Sequence, residues 1–276
     1  MISQQEKAAA FQTLHQSGTF VIPNPWDRGS AQILAGLGYK ALATTSAGFA
    51  RSVGKDDYQV TRDMVMDHAR DLCTAVDAPV SADLENGFGH APEICAETIK
   101  QAGDTGLVGG SIEDFSGNKG EQYEISKAKD RVRAAVEAAR TLPFPFMLTA
   151  RAENYLAGNP DLADTIARLQ AYQEAGADVL YAPALQTLDE IRSVLAEIDR
   201  PLNVLIGPMK GFVPLHDLAD LGVRRISMGS AFASAASDAL IKAAREVLEV
   251  GQLSFMDGTV NSAEISTLIM KGHARE

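Results

Sequence analysis

Cysteine is almost absent from this chain: Cys73 and Cys95 are the only two. Both fall in segments that read as neighbouring helices, so no disulfide framework is expected and a reducing, cytoplasmic setting is. Basic residues are also in short supply, 25 Lys and Arg against 36 Asp and Glu, a formal charge of −11. A surface of that sign repels nucleic acid and anionic membrane, which excludes both as expected partners. It leaves a small anionic substrate open, because local positive groups decide that. No apolar run approaches the ~18 residues of a membrane span, and the opening Met-Ile-Ser-Gln-Gln-Glu-Lys has no apolar core of signal length. No stretch rich in Gly, Ser or Pro divides the chain, so one domain over residues 1–276 is expected, with 252–276 as a C-terminal helical extension. The five histidines and two cysteines show no metal-ligand spacing, which disfavours zinc.

What is present is an alternation. Apolar, β-rich runs occur at Phe20–Asn24, Ala41–Ser46, Val80–Glu85, Leu107–Asp114, Phe146–Glu153, Val179–Ala184, Leu202–Gly207 and Arg225–Ser230. Helix-period stretches lie between them: Val65, Ala69, Leu72 and Val76 share one face, as do Ile191, Val194, Leu195 and Ile198. Glycines such as Gly38, Gly176 and Gly222 stand between each helix and the next strand. Eight strand-helix units in a chain of this length predict a (β/α)8 TIM barrel. The rival, a doubly wound open sheet, lacks a Gly-rich dinucleotide loop after the first strand. Beyond the barrel, Asn261 and Glu264 mark a helix start and Ile265, Leu268 and Ile269 an apolar stripe, so a final helix is expected to dock on a neighbouring subunit.

Barrel chemistry sits at the C-terminal ends of the strands, and charge collects there. Strand three ends Asp83-Leu84-Glu85, strand four Glu113-Asp114, and strand five Arg151-Ala152-Glu153, while Asp56 and Asp57 follow strand two. Asp83 and Glu85, two residues apart, are expected on one side of their strand. Carboxylates aimed at one place stay ionised only if a cation compensates, and oxygen ligands select a hard ion, Mg²⁺ or Mn²⁺. Arg151 offers a planar fork for a carboxylate or phosphate. The small, polar Thr45-Ser46-Ala47-Gly48 segment reads as a loop whose hydroxyls and N–H groups bind a carboxylate, or as a mere turn. Ordinary surface salt bridges are the bland alternative for the charged residues. Three consecutive strands each ending in charge strain that alternative.

Together these pieces resemble the isocitrate lyase/phosphoenolpyruvate mutase superfamily. The resemblance runs from Pro25-Trp26-Asp27 to Ser227-Met228-Gly229 and rests chiefly on Thr45-Ser46-Ala47-Gly48, Asp83 to Gly89, Ile112-Glu113-Asp114, Ala150-Arg151-Ala152-Glu153 and Ala171 to Asp178. It implies a barrel with Mg²⁺ at its mouth and a small α-oxo or α-hydroxy carboxylate upon it. Carried over, Asp83 touches the metal while Asp57, Glu85 and Glu113 hold its waters. Arg151, Glu113 and Asp57 serve catalysis, and Trp26, Ser46, Ala47, Gly48, Asp83, Arg151 and Asn203 contact the substrate. The resemblance also implies a homotetramer, a dimer of dimers, with the last barrel helix exchanged between subunits.

The departures narrow the chemistry. Isocitrate and methylisocitrate lyases carry a Lys-Lys/Arg-Cys-Gly-His loop after strand four; here Ser116 to Gln122 has neither Cys nor His, and neither Cys73 nor Cys95 replaces it from a helix. The phosphonate enzymes carry a His near the end of strand six, where this chain has Tyr181-Ala182-Pro183-Ala184. Glu85 stands for the commoner Asp. What remains is a lyase that cleaves or decarboxylates an oxaloacetate-like acid through an enolate stabilised by the metal. The rivals are a phosphonopyruvate hydrolase or phosphonomutase, a phosphate-binding barrel using Gly207 to Gly211 and Gly229-Ser230, and a barrel that binds an oxo-acid without turnover. Gly117 and Gly120 would let the Ser116–Gln122 loop act as a lid or serve as a plain connection. His15, His68 and His273 read as surface or boundary positions on helices, His216 as a helix opener, and His90 as the one near the mouth.

Overall fold

Short apolar runs with an inward and an outward face cannot stay exposed, and here eight of them pair in parallel. The computed structural model describes residues 2–118, 121–207, 209, 211 and 213–274. The strands are β1 (Phe20–Ile22), β2 (Leu42–Ala43), β3 (Val80–Asp83), β4 (Gly109–Glu113), β5 (Met147–Arg151), β6 (Val179–Tyr181), β7 (Leu202–Leu205) and β8 (Arg225–Ser227). They form one sheet in the order β1-β8-β7-β6-β5-β4-β3-β2. The ends of that order meet: the Ala43 N–H donates to the Pro23 carbonyl at 3.0 Å. Asn24 completes the closure, its amide donating to the Thr44 carbonyl at 3.0 Å and its oxygen accepting the Met228 N–H at 2.9 Å. All eight expected strands are present, each shorter at its C-terminal end than its apolar run, because the chain there turns into the loops that build the mouth.

The helices are α1 (Gln4–Leu14), α2 (Arg28–Leu37), α3 (Ser46–Ser52), α4 (Arg62–Ala75), α5 (Pro92–Gly103), α6 (Ile125–Arg140), α7 (Leu162–Glu174), α8 (Leu188–Glu197), α9 (Leu215–Asp220), α10 (Ala231–Arg245) and α11 (Ser262–Gly272). The predicted stripe of Val65, Ala69, Leu72 and Val76 is buried in the shell between α4 and the sheet. Gly38 closes α2 at φ 101°, a conformation a side chain resists. The outward strand positions feed one large apolar shell, while a second, smaller cluster of Ala8, Phe11, Ile22, Ala41, Val108, Met147 and Val179 fills the lower barrel interior and is closed below by α1. His15, at the end of α1, packs edge-on to Phe11 and Phe20, and His68 stacks on Phe49. Both are buried rather than at the surface or boundary, because a neutral imidazole contributes a ring to an aromatic contact, although Nε2 of each is buried without a hydrogen-bond partner among the described residues. Burial pushes the His15 and His68 rings down to about 3 and about 4.

The C-terminal helices differ in how far their own chain covers them. α11 lies on α2 of its own chain. A Cβ at Gly36 would stand 2.1 Å from the Leu268 carbonyl oxygen, and one at Gly272 would stand 1.9 Å from that of Gln32. His273 reaches the Gln32 side chain at 2.8 Å, and the Ala274 N–H donates to the Ala75 carbonyl at 2.9 Å. The uncovered helix is instead α10: Ala233 is its one buried residue, and Leu240 is 71% exposed. The run continues into a π-helical segment, Glu246–Val250, where Leu248 is 86% exposed.

This packing makes a prediction of sign. Gly→Ala inside a helix ordinarily stabilises by up to about 1 kcal/mol, but Gly36→Ala is expected to destabilise by about 1–3 kcal/mol through overpacking against Leu268. A thermal melt of the variant, with limited proteolysis of the tail, reads the outcome.

Candidate active site

Register places the acids. Glu113 on β4 is directly opposite Arg151 on β5, and Asp83 on β3 is opposite Ser111. Inward alternation then points Asp83, Glu113 and Arg151 into the top of the barrel. Arg151 binds all three neighbouring acids: Nη1 lies 2.9 Å from Asp83 Oδ1, Nη2 3.1 Å from Glu113 Oε2 and Nε 2.7 Å from Glu153 Oε1. The guanidinium also lies over the Tyr181 ring, 5.2 Å from its centre. The Glu113 and Glu153 side chains are 1% and 4% exposed, so these are desolvated pairs, which cost several kcal/mol to break. Asp114 points the other way. It accepts from the Glu153 N–H at 2.8 Å, Gln122 at 3.0 Å, Arg168 at 3.0 Å and the Tyr172 hydroxyl, and so ties β4 to β5 and α7.

Asp83 and Glu85 do not share a strand face. β3 ends at Asp83, and Glu85 sits at φ 48°, a left-handed conformation unusual for a side-chain-bearing residue. The chain turns there: the Glu85 N–H donates to Asp83 Oδ1 at 3.2 Å. Asn86 and Gly89 beyond it are held by Arg131, which donates to both of their carbonyls. The two acids still meet electrostatically. Burial, with the Asp83 and Asp57 charges beside it, pushes the Glu85 carboxyl up to about 8. Glu85 Oε1 is buried with no hydrogen-bond partner among the described residues. Asp57 sits at the solvent edge of the mouth, where protein mass beneath its carboxyl and the Asp83 charge push it upward, against a hydrogen bond from Ser46. Asp56, its neighbour, stays at the surface.

Tyr58, unmarked in the sequence reading, has a positive φ of 62° and donates its hydroxyl to Glu113. Glu113 is thus held by Tyr58 and Arg151 together. Burial raises its carboxyl, and Arg151 opposes that.

The Thr45-Ser46-Ala47-Gly48 segment is the first turn of α3, not a loop. Thr45 caps it, accepting from the Gly48 N–H at 3.3 Å. The Ser46 N–H points at Asp83 Oδ2, 3.4 Å away. A cavity of about 150 Å³ opens at the barrel mouth, and its lining includes Ser46, Ala47, Asp83, Arg151 and Asn203. Trp26 and Gly48 lie beside it rather than in its wall: a Cβ on Gly48 would meet the Trp26 Cβ at 3.2 Å. Asp57, Glu85 and Glu113 are also outside that wall, and Glu85 and Tyr58 border an adjoining cleft of about 650 Å³. Of the four acids proposed around an ion, Asp83 alone faces the central cavity. Among the described residues, no three Asp, Glu, His or Cys side chains stand close enough to ligate an ion unaided. An ion held here would complete its shell with water or substrate.

Sequence reasoning missed further wall residues: Asn24, Thr44, Tyr181, Arg225 and Ser227. Strand alternation was the available signal, since Arg225 and Ser227 flank the outward Ile226 on β8. The loop after β4 is cross-braced within itself, with Ser116 and Asn118 side chains both donating to Glu121 Oε2. Its Lys119 and Gly120 lie outside the described residues, as do Pro208 and Lys210 of the phosphate-loop reading. His90 bonds Tyr123 on the outer side of the Asn86–Gly89 turn.

The model of the phosphoenolpyruvate phosphomutase family matches residues 11–248. The chain belongs to this family. A Burkholderia cenocepacia J2315 crystal structure described only as a lyase/mutase is 51% identical, covers 95% of each chain and superposes with a TM-score of 0.92. Among relatives named for an activity, a 2-methylisocitrate lyase of Halalkalibacterium halodurans is 30% identical over 72% of this chain and 67% of its own. An oxaloacetate decarboxylase of Pseudomonas entomophila is 26% identical over 96% of this chain and 91% of its own. As a member of the family, the protein is an enzyme of the lyase and mutase kind.

The site yields a pH prediction. The Glu85 carboxyl is raised from 4.5 to about 8 in the folded protein, so between those values the native state holds a proton that the unfolded chain has released. Without divalent cations, stability therefore falls as pH rises through that window. Glu85→Gln is expected to flatten the slope and to be more stable than the parent at pH 8 by a few kcal/mol at most. Melting curves across pH in a chelating buffer test this.

Proposed function

We propose that this enzyme is a Mg²⁺-dependent lyase that breaks a carbon–carbon bond in a short α-oxo or α-hydroxy carboxylate, with an oxaloacetate-like acid as substrate. The observation that carries the reading is the charge imbalance at the mouth. Asp57, Asp83, Glu85, Glu113 and Glu153 surround a single guanidinium, and one buried oxygen of Glu85 has no partner among the described residues. A hard divalent cation fits that donor set and that deficit. Asp83 would hold it directly, with Asp57, Glu85 and Glu113 on its waters; Mn²⁺ suits the same oxygens. Bound there, the ion would supply Lewis acidity to the oxo oxygen, whose carbon is one removed from the bond that breaks.

The chain's own residues do the rest. Arg151 fixes Asp83, Glu113 and Glu153 at once, so the acidic wall has one geometry. Its Nη1, Nη2 and Nε each already face an acid, so it acts first as an organiser and grips a substrate carboxylate only as those acids turn to a cation. The Tyr58 hydroxyl, held by Glu113 and raised by burial, keeps its proton at the edge of the mouth, where a carbanionic carbon needs one. The roughly 150 Å³ cavity is smaller than drug-sized pockets and suits an acid of a few carbons. Loss of CO₂ from an oxo-acid requires no base on the substrate, which agrees with a Ser116–Gln122 loop whose Ser116, Asn118 and Glu121 are bonded to one another.

The exposed apolar residues of α10, Leu240 and Ile241, support assembly with further copies of the chain as a tetramer that exchanges this helix. The buried free thiols of Cys73 and Cys95 fit a cytoplasmic setting.

Asp83→Ala is expected to cut divalent-dependent turnover of oxaloacetate at least about 1,000-fold and to abolish Mg²⁺ uptake in calorimetry, with the circular dichroism spectrum unchanged. Undiminished turnover in that variant overturns the assignment. Leu240→Glu with Leu248→Glu is expected to yield a smaller species in sedimentation velocity; an unchanged species removes the exchanged helix.

A further inference from the structure

The mouth's acids account for one cation, Arg151, but a second arginine lines the same cavity and is used by nothing described so far. Arg225 opens β8, points into the barrel and is 6% exposed. Its guanidinium donates from Nε to Asn203 Oδ1 at 2.8 Å and from Nη2 to the Thr149 hydroxyl at 2.9 Å, crossing from β8 towards β5. Asn203 in turn donates to the Ser227 hydroxyl at 2.9 Å. These partners are all neutral. Arg151 and Arg168 each face at least two carboxylates, whereas no carboxylate lies within 4.0 Å of Arg225 among the described residues. Arg131, the other deeply buried arginine, is spent on two carbonyls and the Tyr123 ring and borders neither the mouth cavity nor the adjoining cleft. A desolvated charge without a counter-ion costs several kcal/mol, and burial pulls the Arg225 guanidinium down to about 10. An arginine whose only role was packing would be served as well by a neutral side chain. A cation kept at that cost beside a cavity is a receptor for an anion.

We propose that Arg225, steered by Asn203, forms an anion subsite in the floor of the cavity, which receives one carboxylate of a short dicarboxylate while the oxygen-bearing end faces Asp83. This rests on the lyase reading and sharpens its substrate class: dicarboxylates of about four carbons are selected over monocarboxylic oxo-acids.

Malonate, an unreactive dicarboxylate, serves as the probe and acetate as the control, each titrated by calorimetry and by the fluorescence of the single tryptophan, Trp26. Arg225→Gln is expected to weaken malonate binding about 10- to 100-fold while leaving Mg²⁺ affinity unchanged, with Arg225→Lys between the two. Asn203→Asp keeps the side-chain shape and places a carboxylate against the guanidinium. It is expected to raise the melting temperature and abolish malonate binding, a pairing that a merely structural arginine would not produce, and it remains informative if Arg225→Gln does not fold. Malonate bound equally by the parent and Asn203→Asp overturns the subsite. Oxaloacetate turnover with unchanged KM in a folded Arg225→Gln protein also overturns it and leaves the lyase reading intact. Loss of malonate binding in both variants of a protein that turns over no oxo-acid keeps the subsite and removes the lyase.

Discussion

One guanidinium holds the top of this barrel together. Arg151 is largely enclosed among Asp83 of β3, Glu113 of β4 and Glu153 just beyond β5, three acids that would otherwise repel one another out of a common site. Desolvated charges attract strongly at short range and tolerate little displacement, so this cluster sets the geometry to which Tyr58 and the Glu85 turn are fitted. Asp114, facing outward from the same strand end, does the corresponding work for the shell by fixing α7 to the sheet through Arg168 and Tyr172. The last residue of β4 and the one after it thus divide the labour, Glu113 towards the chemistry and Asp114 towards the scaffold.

Arg151 does not neutralise the site. Burial, reinforced by the Asp83 charge beside them, leaves Glu85 and Asp57 with raised proton affinity, and a cation placed among them would offset that cost. A dicarboxylate would find this mouth repulsive without that cation and without a second positive group deeper in. The polar interior therefore has two poles, an acidic rim and a basic floor at Arg225, with Thr149, Asn203 and Ser227 between them. Below that layer the barrel turns apolar, and α1 seals it with Phe11.

Much of this was legible from residue order. The alternation of apolar runs and helical stripes marks all eight strands, because burying period-2 and period-3.6 faces against each other leaves few architectures. The acids at successive strand ends mark the mouth, because barrel topology sends every such end to one face. Strand parity would also have exposed Arg225, had Arg225-Ile226-Ser227 been read for alternation and not only for hydrophobicity. Other features were beyond reach. The left-handed backbone at Glu85 has no composition signal, since nothing in Asp83-Leu84-Glu85 marks where the strand stops. Tyr58 reaches Glu113 across 55 residues.

Residue order by itself determined the barrel, the place of the acidic mouth and the lack of any cysteine or histidine in Ser116 to Gln122, since each depends on local periodicity or on which side chains exist. Tertiary structure alone decided that Arg151 is engaged by three acids, that Glu85 converges on Asp83 through a turn, that His15 and His68 are buried, and that α11 folds home while α10 stands uncovered. Those outcomes depend on distances between segments remote in sequence, where desolvation and close backbone contact act, and no local pattern carries them.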